Sequence, residues 1–248
     1  MPTINETGHY KNVTALEQMI QKVIAMGTTY NPSKTSIKLA TLQTLFTAAK
    51  ADYLAVSTAN VPYNNAVNDR IIAFQSYKSY ATQILAAFKS SSDANAQKIK
   101  DLTTINRKIQ GTRTPKKETL PVDPNAPAPE TISNSQQSYD MKFDHFSKFI
   151  DLILTEASYL PNETELKLPA IQTFKANLLS ANTAVATTYE TVNLSRIKRD
   201  KTLYKDLTGV YAIQDLVKEY VKGAFKATSI QYKQMAAIKF TKPKKLYI

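Results

Sequence analysis

Two stretches of this chain carry the same punctuation. Tyr30-Asn31-Pro32 runs into Ile37-Lys38-Leu39 and Leu42-Gln43-Thr44. Tyr159-Leu160-Pro161 runs into Leu166-Lys167-Leu168 and Ile171-Gln172-Thr173 at the same internal spacing. The offset of about 129 residues persists beyond the motif: Ile24 falls on Ile153, Thr58 on Thr187 and Arg70 on Arg199. Ten of the 29 positions from Tyr30 to Thr58 are identical in the two stretches. After a slip of two residues, Tyr80-Ala81-Thr82-Gln83-Ile84-Leu85 resembles Tyr211-Ala212-Ile213-Gln214-Asp215-Leu216. The two stretches also end alike, at Thr112-Arg113-Thr114-Pro115-Lys116-Lys117 and Thr241-Lys242-Pro243-Lys244-Lys245. Such a period is too long for a solenoid repeat and long enough for a domain. The sequence therefore predicts two copies of one helical unit, residues 1–111 and 137–248, with 112–136 between them.

The copies read as all-α. Glycine is scarce, at five residues, and no segment alternates with a period of two. Met1 to Asn12 is polar and is expected to be an irregular arm. A first helix is predicted over Val13–Met26, with Leu16, Ile20, Val23 and Ile24 on one face and Gly27 at its C-terminal cap. Pro32 stops it. A second helix starts near Ser33 or Thr35 and repeats Leu42, Leu45, Ala49 and Val56. Asn60-Val61-Pro62 predicts a turn or a strong kink, and Val67, Ile71, Phe74, Ala81, Leu85 and Phe88 beyond it are out of phase with the pattern before it. Ser90–Asp93 breaks the pattern again before a fourth, shorter helix. The second copy repeats this order, with apolar faces at Phe146, Phe149, Leu152 and Ile153, then Ile171, Phe174, Leu178, Val185 and Val192. A break is expected near Asn193. A helix with Ile213, Leu216, Val217, Tyr220 and Val221 follows. The predicted architecture is two pseudo-symmetric tandem antiparallel bundles of three to four helices each. The joining segment holds five of the eleven prolines, a composition that extends and stiffens a chain rather than building a core.

The net charge of +12 attracts polyanions at long range. It divides evenly, since residues 1–111 and 137–248 each carry +6 and the segment between them balances to zero. There is no cysteine, which removes disulfide and thiol chemistry and fits a reducing compartment; the expected location is cytoplasmic. The N-terminus lacks the apolar core of a signal peptide, and no apolar run is long enough to span a membrane.

Catalytic and metal-binding constellations are thin. His9 and His145 are the only histidines, and neither has a companion at ligand spacing. The His-Glu-x-x-His pattern and both phosphate-binding glycine loops are absent, as is the Gly-x-Ser-x-Gly elbow. Glu163 and Glu165 read as charges that favour a helix N-terminus. The sequence thus predicts no catalytic residues, metal or cofactor, and a protein that is not an enzyme. Arg70 and Arg199 are the candidate duplicated position, because only five arginines occur and two of them align. Arg113, Lys116, Lys117, Lys242, Lys244 and Lys245 form the candidate polyanion-binding set, since short proline-stiffened cation clusters can follow a phosphate backbone. Scarce arginine argues against base-specific readout. Two function classes follow. One is a scaffold that bridges protein partners or self-associates. The other is a non-specific nucleic-acid-binding protein.

Several strings taken together, Asn5-Glu6-Thr7-Gly8-His9, Tyr30-Asn31-Pro32-Ser33-Lys34-Thr35, Lys108-Ile109-Gln110-Gly111-Thr112-Arg113 and Gln231-Tyr232-Lys233-Gln234, resemble an uncharacterised group of bacterial all-helical proteins with an internal duplication. The resemblance spans nearly the whole chain. It implies a bacterial, full-length protein and brings no activity, cofactor or functional residue with it.

Overall fold

The structure, a computed structural model, describes residues 7–112, 137–243, 246 and 247. The predicted linker, apart from Thr112, lies outside them. The described residues are helical, with no strand among them. In chain order the helices are α1 (Thr7–Met26), α2 (Leu39–Ala73), α3 (Tyr77–Lys89), α4 (Ala96–Gln110), α5 (Tyr139–Ile153), α6 (Leu168–Tyr204), α7 (Val210–Phe225) and α8 (Ile230–Ala236). Short 3-10 turns at Thr35–Ile37 and Thr164–Leu166 precede α2 and α6.

Two of these elements differ from the sequence expectation in the same way. α2 runs 35 residues and contains Pro62, and α6 runs 37 residues through Asn193. Neither helix ends at its expected break. Proline inside a helix removes one N–H donor and crowds the carbonyl four residues back, but Pro62 is exposed, so water can reach the freed carbonyl. Burial on either side of it, at Val56, Ala59 and Ala66, holds the helix together. Tertiary packing overrides the local preference here. The phase slip in the apolar pattern has another cause. A 35-residue helix is about 50 Å long and changes neighbours along its length. Leu42 and Ala49 enter one core, while Phe74, just past its end, enters another.

The compact units therefore do not follow the predicted copies 1–111 and 137–248. Described residues before Asn65 and after Ala186 form unit 1, and those from Asn65 to Ala186 form unit 2. Each unit draws on both predicted copies, because α2 and α6 each begin in one unit and end in the other. Had α2 broken at Pro62, its two halves could have folded back within one copy.

In unit 1, α1 packs against α7 and α8. Leu16, Met19, Ile20 and Val23 of α1 meet Ile213, Val217 and Val221 of α7 in one core, closed by Leu42 and Leu203 from the long helices. Met19 takes the place expected of Ile24, which is 44% exposed. The two long helices are antiparallel within this unit: Asp52 meets Lys198 and Thr202, and Tyr63 meets Tyr189. In unit 2, α4 packs on α3 and α5. Ile84, Leu85 and Phe88 face Leu102 and Ile109 and the aromatic stripe Phe146, Phe149, with Ile171 and Leu178 of α6 completing the core. Ile71, expected in the apolar stripe, is 53% exposed.

Helix ends follow simple chemistry. Asn95 caps α4 by accepting from the N–H groups of Gln97 and Lys98, and Ser138 caps α5 by accepting from Met141. Gly27, at φ +56°, ends α1 in the left-handed region that glycine enters without strain. At Gly209, before α7, a Cβ would stand 2.6 Å from the Lys205 nitrogen, so only glycine fits the turn.

Candidate functional site

The repeated motif forms the same local device in each unit. Tyr30 donates its hydroxyl to the carbonyl of Ile37 at 2.7 Å, and Tyr159 donates to the carbonyl of Leu166 at 2.8 Å. Each tyrosine thus closes an eight-residue loop containing the proline and the 3-10 turn, and it fixes the entry of the long helix. Burial raises both phenol pKa values well above the ordinary range, with Tyr220 adding to the effect at Tyr30, and Tyr80 then Glu163 at Tyr159.

The aligned arginines occupy contrasting environments. Arg199, on α6 in unit 1, is fully buried. Its Nε donates to Asp200 Oδ1 at 2.8 Å, and an Nη stands 2.7 Å from the same oxygen. Asp200, also fully buried, accepts from the Tyr247 N–H through Oδ2 at 2.9 Å. His9 Nδ1 lies 3.9 Å from Asp200 Oδ1 and 2.9 Å from the Tyr204 hydroxyl. Asn12 donates to that hydroxyl at 3.0 Å and to the Thr241 carbonyl at 2.7 Å, and it accepts from the Thr241 N–H at 2.9 Å. Unpaired buried charge and unsatisfied buried polar groups are costly. This cluster answers that cost by joining α1, α6 and the C-terminal segment into one hydrogen-bonded unit.

Arg70, on α2 in unit 2, has Ile71 where Arg199 has Asp200. It is half-buried, and its guanidinium lies 4.1 Å from the centroid of Tyr139, the first residue of α5. Lys142 stands 4.8 Å from the same ring. Asn182 of α6 donates to the Tyr139 carbonyl at 3.3 Å. The aligned position is therefore an arginine with a different partner in each unit. In unit 1 a carboxylate neutralises it, and in unit 2 an aromatic face covers it.

Of the candidate polyanion-binding residues, Arg113, Lys116, Lys117, Lys244 and Lys245 lie outside the described residues. Lys242 is described, at 3.8 Å from Asp206 and 6.0 Å from the Tyr211 ring centroid. It already has a carboxylate and an aromatic neighbour. Sequence reasoning missed Asp200, His9, Asn12 and Tyr204. A signal was present: His9, Asn12 and Val13 extend the three-four spacing of Leu16, Met19 and Ile20 back by two turns. That stretch reads as an irregular arm only because its inward positions include polar residues.

Among the described residues no three His, Cys, Asp or Glu side chains are placed to hold a metal. No helix among them is long and apolar enough to cross a membrane. Comparison with protein-family models, with curated proteins and with solved structures gave no match.

Proposed function

We propose that this chain is a non-enzymatic scaffold, a duplicated helical bundle that presents related surfaces to bridge protein partners or to self-associate. The observation that carries the reading is the repeated tyrosine clamp, Tyr30 on Ile37 and Tyr159 on Leu166, each reaching seven residues ahead across a 3-10 turn to the start of a long helix. Two such devices in one chain support a duplication, and a duplicated framework offers two related binding faces. Light scattering of the purified chain, with a pull-down from lysate of its source cell, tests it. Retained partners or a mass above one chain support the scaffold, and a clean monomer that retains nothing counts against it.

The rival reading is non-specific nucleic-acid binding, favoured by the charge of +12. Neutralisation of phosphates by Arg113, Lys116, Lys117, Lys242, Lys244 and Lys245 would give affinity that falls steeply with salt and depends little on sequence. A titration with random duplex DNA and RNA at low and physiological salt distinguishes the two. Lys242, the member of that set among the described residues, lies 3.8 Å from Asp206.

A further inference from the structure

Three clefts in unit 2 join end to end along one face of α3. The first, about 530 Å³, lies over Ser79, Tyr80 and Gln83, with Glu165 and Phe174 opposite. The second, about 620 Å³, shares Gln83 and continues over Ala86, Ala87 and Ser90 against the turn from Leu160 to Leu166. The third, about 760 Å³, shares Ser90, Ser91 and Leu160 and ends at Asp93, Asn95 and Glu156. The α3 residues recur every three or four positions, which places them on one face of the helix. A 13-residue helix is about 20 Å long, so the groove matches about six residues of extended chain.

Its chemistry is one-sided. Asp93, Glu156, Glu163 and Glu165 line it, and no lysine, arginine or histidine does. Lys98 pairs with Glu156 at 3.3 Å. Among the described residues the other three carboxylates have no ion-pair partner. In a chain of net charge +12 this is a local reversal of sign. It is not a by-product of the repeat either. At the aligned turn of unit 1, Lys34 stands for Glu163 and Ser36 for Glu165. Asn31 stands for Leu160 there, and its N–H donates to the Tyr220 hydroxyl at 3.0 Å. Leu160, by contrast, is 80% exposed at the junction of two clefts. Tyr80 and Phe174, with centroids 4.6 Å apart, give the far end an apolar floor.

We propose that this groove binds a lysine- or arginine-bearing extended segment of a partner protein, with an apolar side chain of that segment seated beside Leu160. The inference rests on the scaffold reading and names the chemistry of one partner. Charge complementarity selects the occupant, and Leu160 with the Tyr80–Phe174 pair supplies the apolar contact that a purely ionic surface lacks.

The test is fluorescence anisotropy on the full chain at about 0.15 M salt, where screening over about 8 Å removes most of the long-range repulsion between the chain and a basic peptide. The probes are a fluorescein-labelled peptide alternating Lys with Leu and its counterpart alternating Glu with Leu. The Lys peptide should bind and the Glu peptide should not. The triple variant Asp93→Asn, Glu163→Gln, Glu165→Gln should weaken binding at least about tenfold, about 1.4 kcal/mol, and Leu160→Ser should weaken it separately. All four positions are exposed, so the variants should keep the wild-type circular dichroism spectrum. No binding of the Lys peptide, or equal affinity of the triple variant, overturns the proposal. If light scattering or pull-down still reports assembly in that case, the scaffold reading stands and only the groove is lost.

Discussion

The Arg199 guanidinium meets the Asp200 carboxylate at 2.7 Å with both side chains sealed from solvent. Removing one partner of such a pair strands the other charge, which costs about 3–5 kcal/mol. Asp200→Asn should therefore lower unfolding free energy by about that amount in urea titrations. Replacing both residues, by Met and Leu, should cost less than the single change, because no charge is left buried. Arg70→Met should cost about 1 kcal/mol or less, since the partly exposed cation–π contact it removes is a small term.

The two tyrosine clamps should respond alike. Tyr30→Phe and Tyr159→Phe keep the ring and remove one hydroxyl, leaving the Ile37 or Leu166 carbonyl without its donor. Each should cost about 1–2 kcal/mol by chemical denaturation. Unequal losses, with one variant neutral, would show that the devices are not energetically equivalent.

Alkaline pH should destabilise the fold through its buried phenols. Tyr77 donates to the Ile109 carbonyl at 2.9 Å, and burial raises its pKa from 10.0 to about 12. A pKa raised on folding gives stability that is complete below the unfolded value and is lost as pH climbs through the folded one. Unit 2 should thus weaken between about pH 10 and pH 12, and Tyr77→Phe should shrink that loss. Monitoring the melting temperature against pH for both proteins checks this.

At the acid end His145 carries the opposite sign. Burial is the largest influence and lowers its pKa; Asp144 opposes the shift, and Lys108 and Lys148 reinforce it. Folding therefore favours the neutral ring. Its stabilisation is present above the unfolded value near 6.5 and is lost as pH falls through the lowered one. His145→Leu should flatten the decline of melting temperature below about pH 6.5.

The apolar periodicity carried most of the helical content into view. Leu42, Ala49, Val56, Ile171, Leu178, Val185 and Val192 are all buried at their expected spacing. Two things stayed hidden for physical reasons. Local rules place a break at Pro62, but a solvent-facing proline is tolerated where Val56, Ala59 and Ala66 anchor the helix on both sides. The unit boundaries were hidden with it, because they depend on whether that helix continues. The site was half visible. The alignment of Arg70 with Arg199 marked the shared position, whereas the buried cluster of His9, Asn12, Asp200 and Tyr204 joins residues nearly two hundred apart in sequence, a pairing that no local pattern encodes.

The interleaved construction is tested most directly by cutting the chain between its predicted copies. A protease site placed within residues 113–136 of the full-length protein divides it into two pieces, and each compact unit contains residues from both. After complete cleavage under native conditions, the pieces should co-elute in size-exclusion chromatography at the mass of the intact chain and part only in denaturant. Two separately eluting, folded fragments would contradict the account and restore two bundles that each follow one sequence copy.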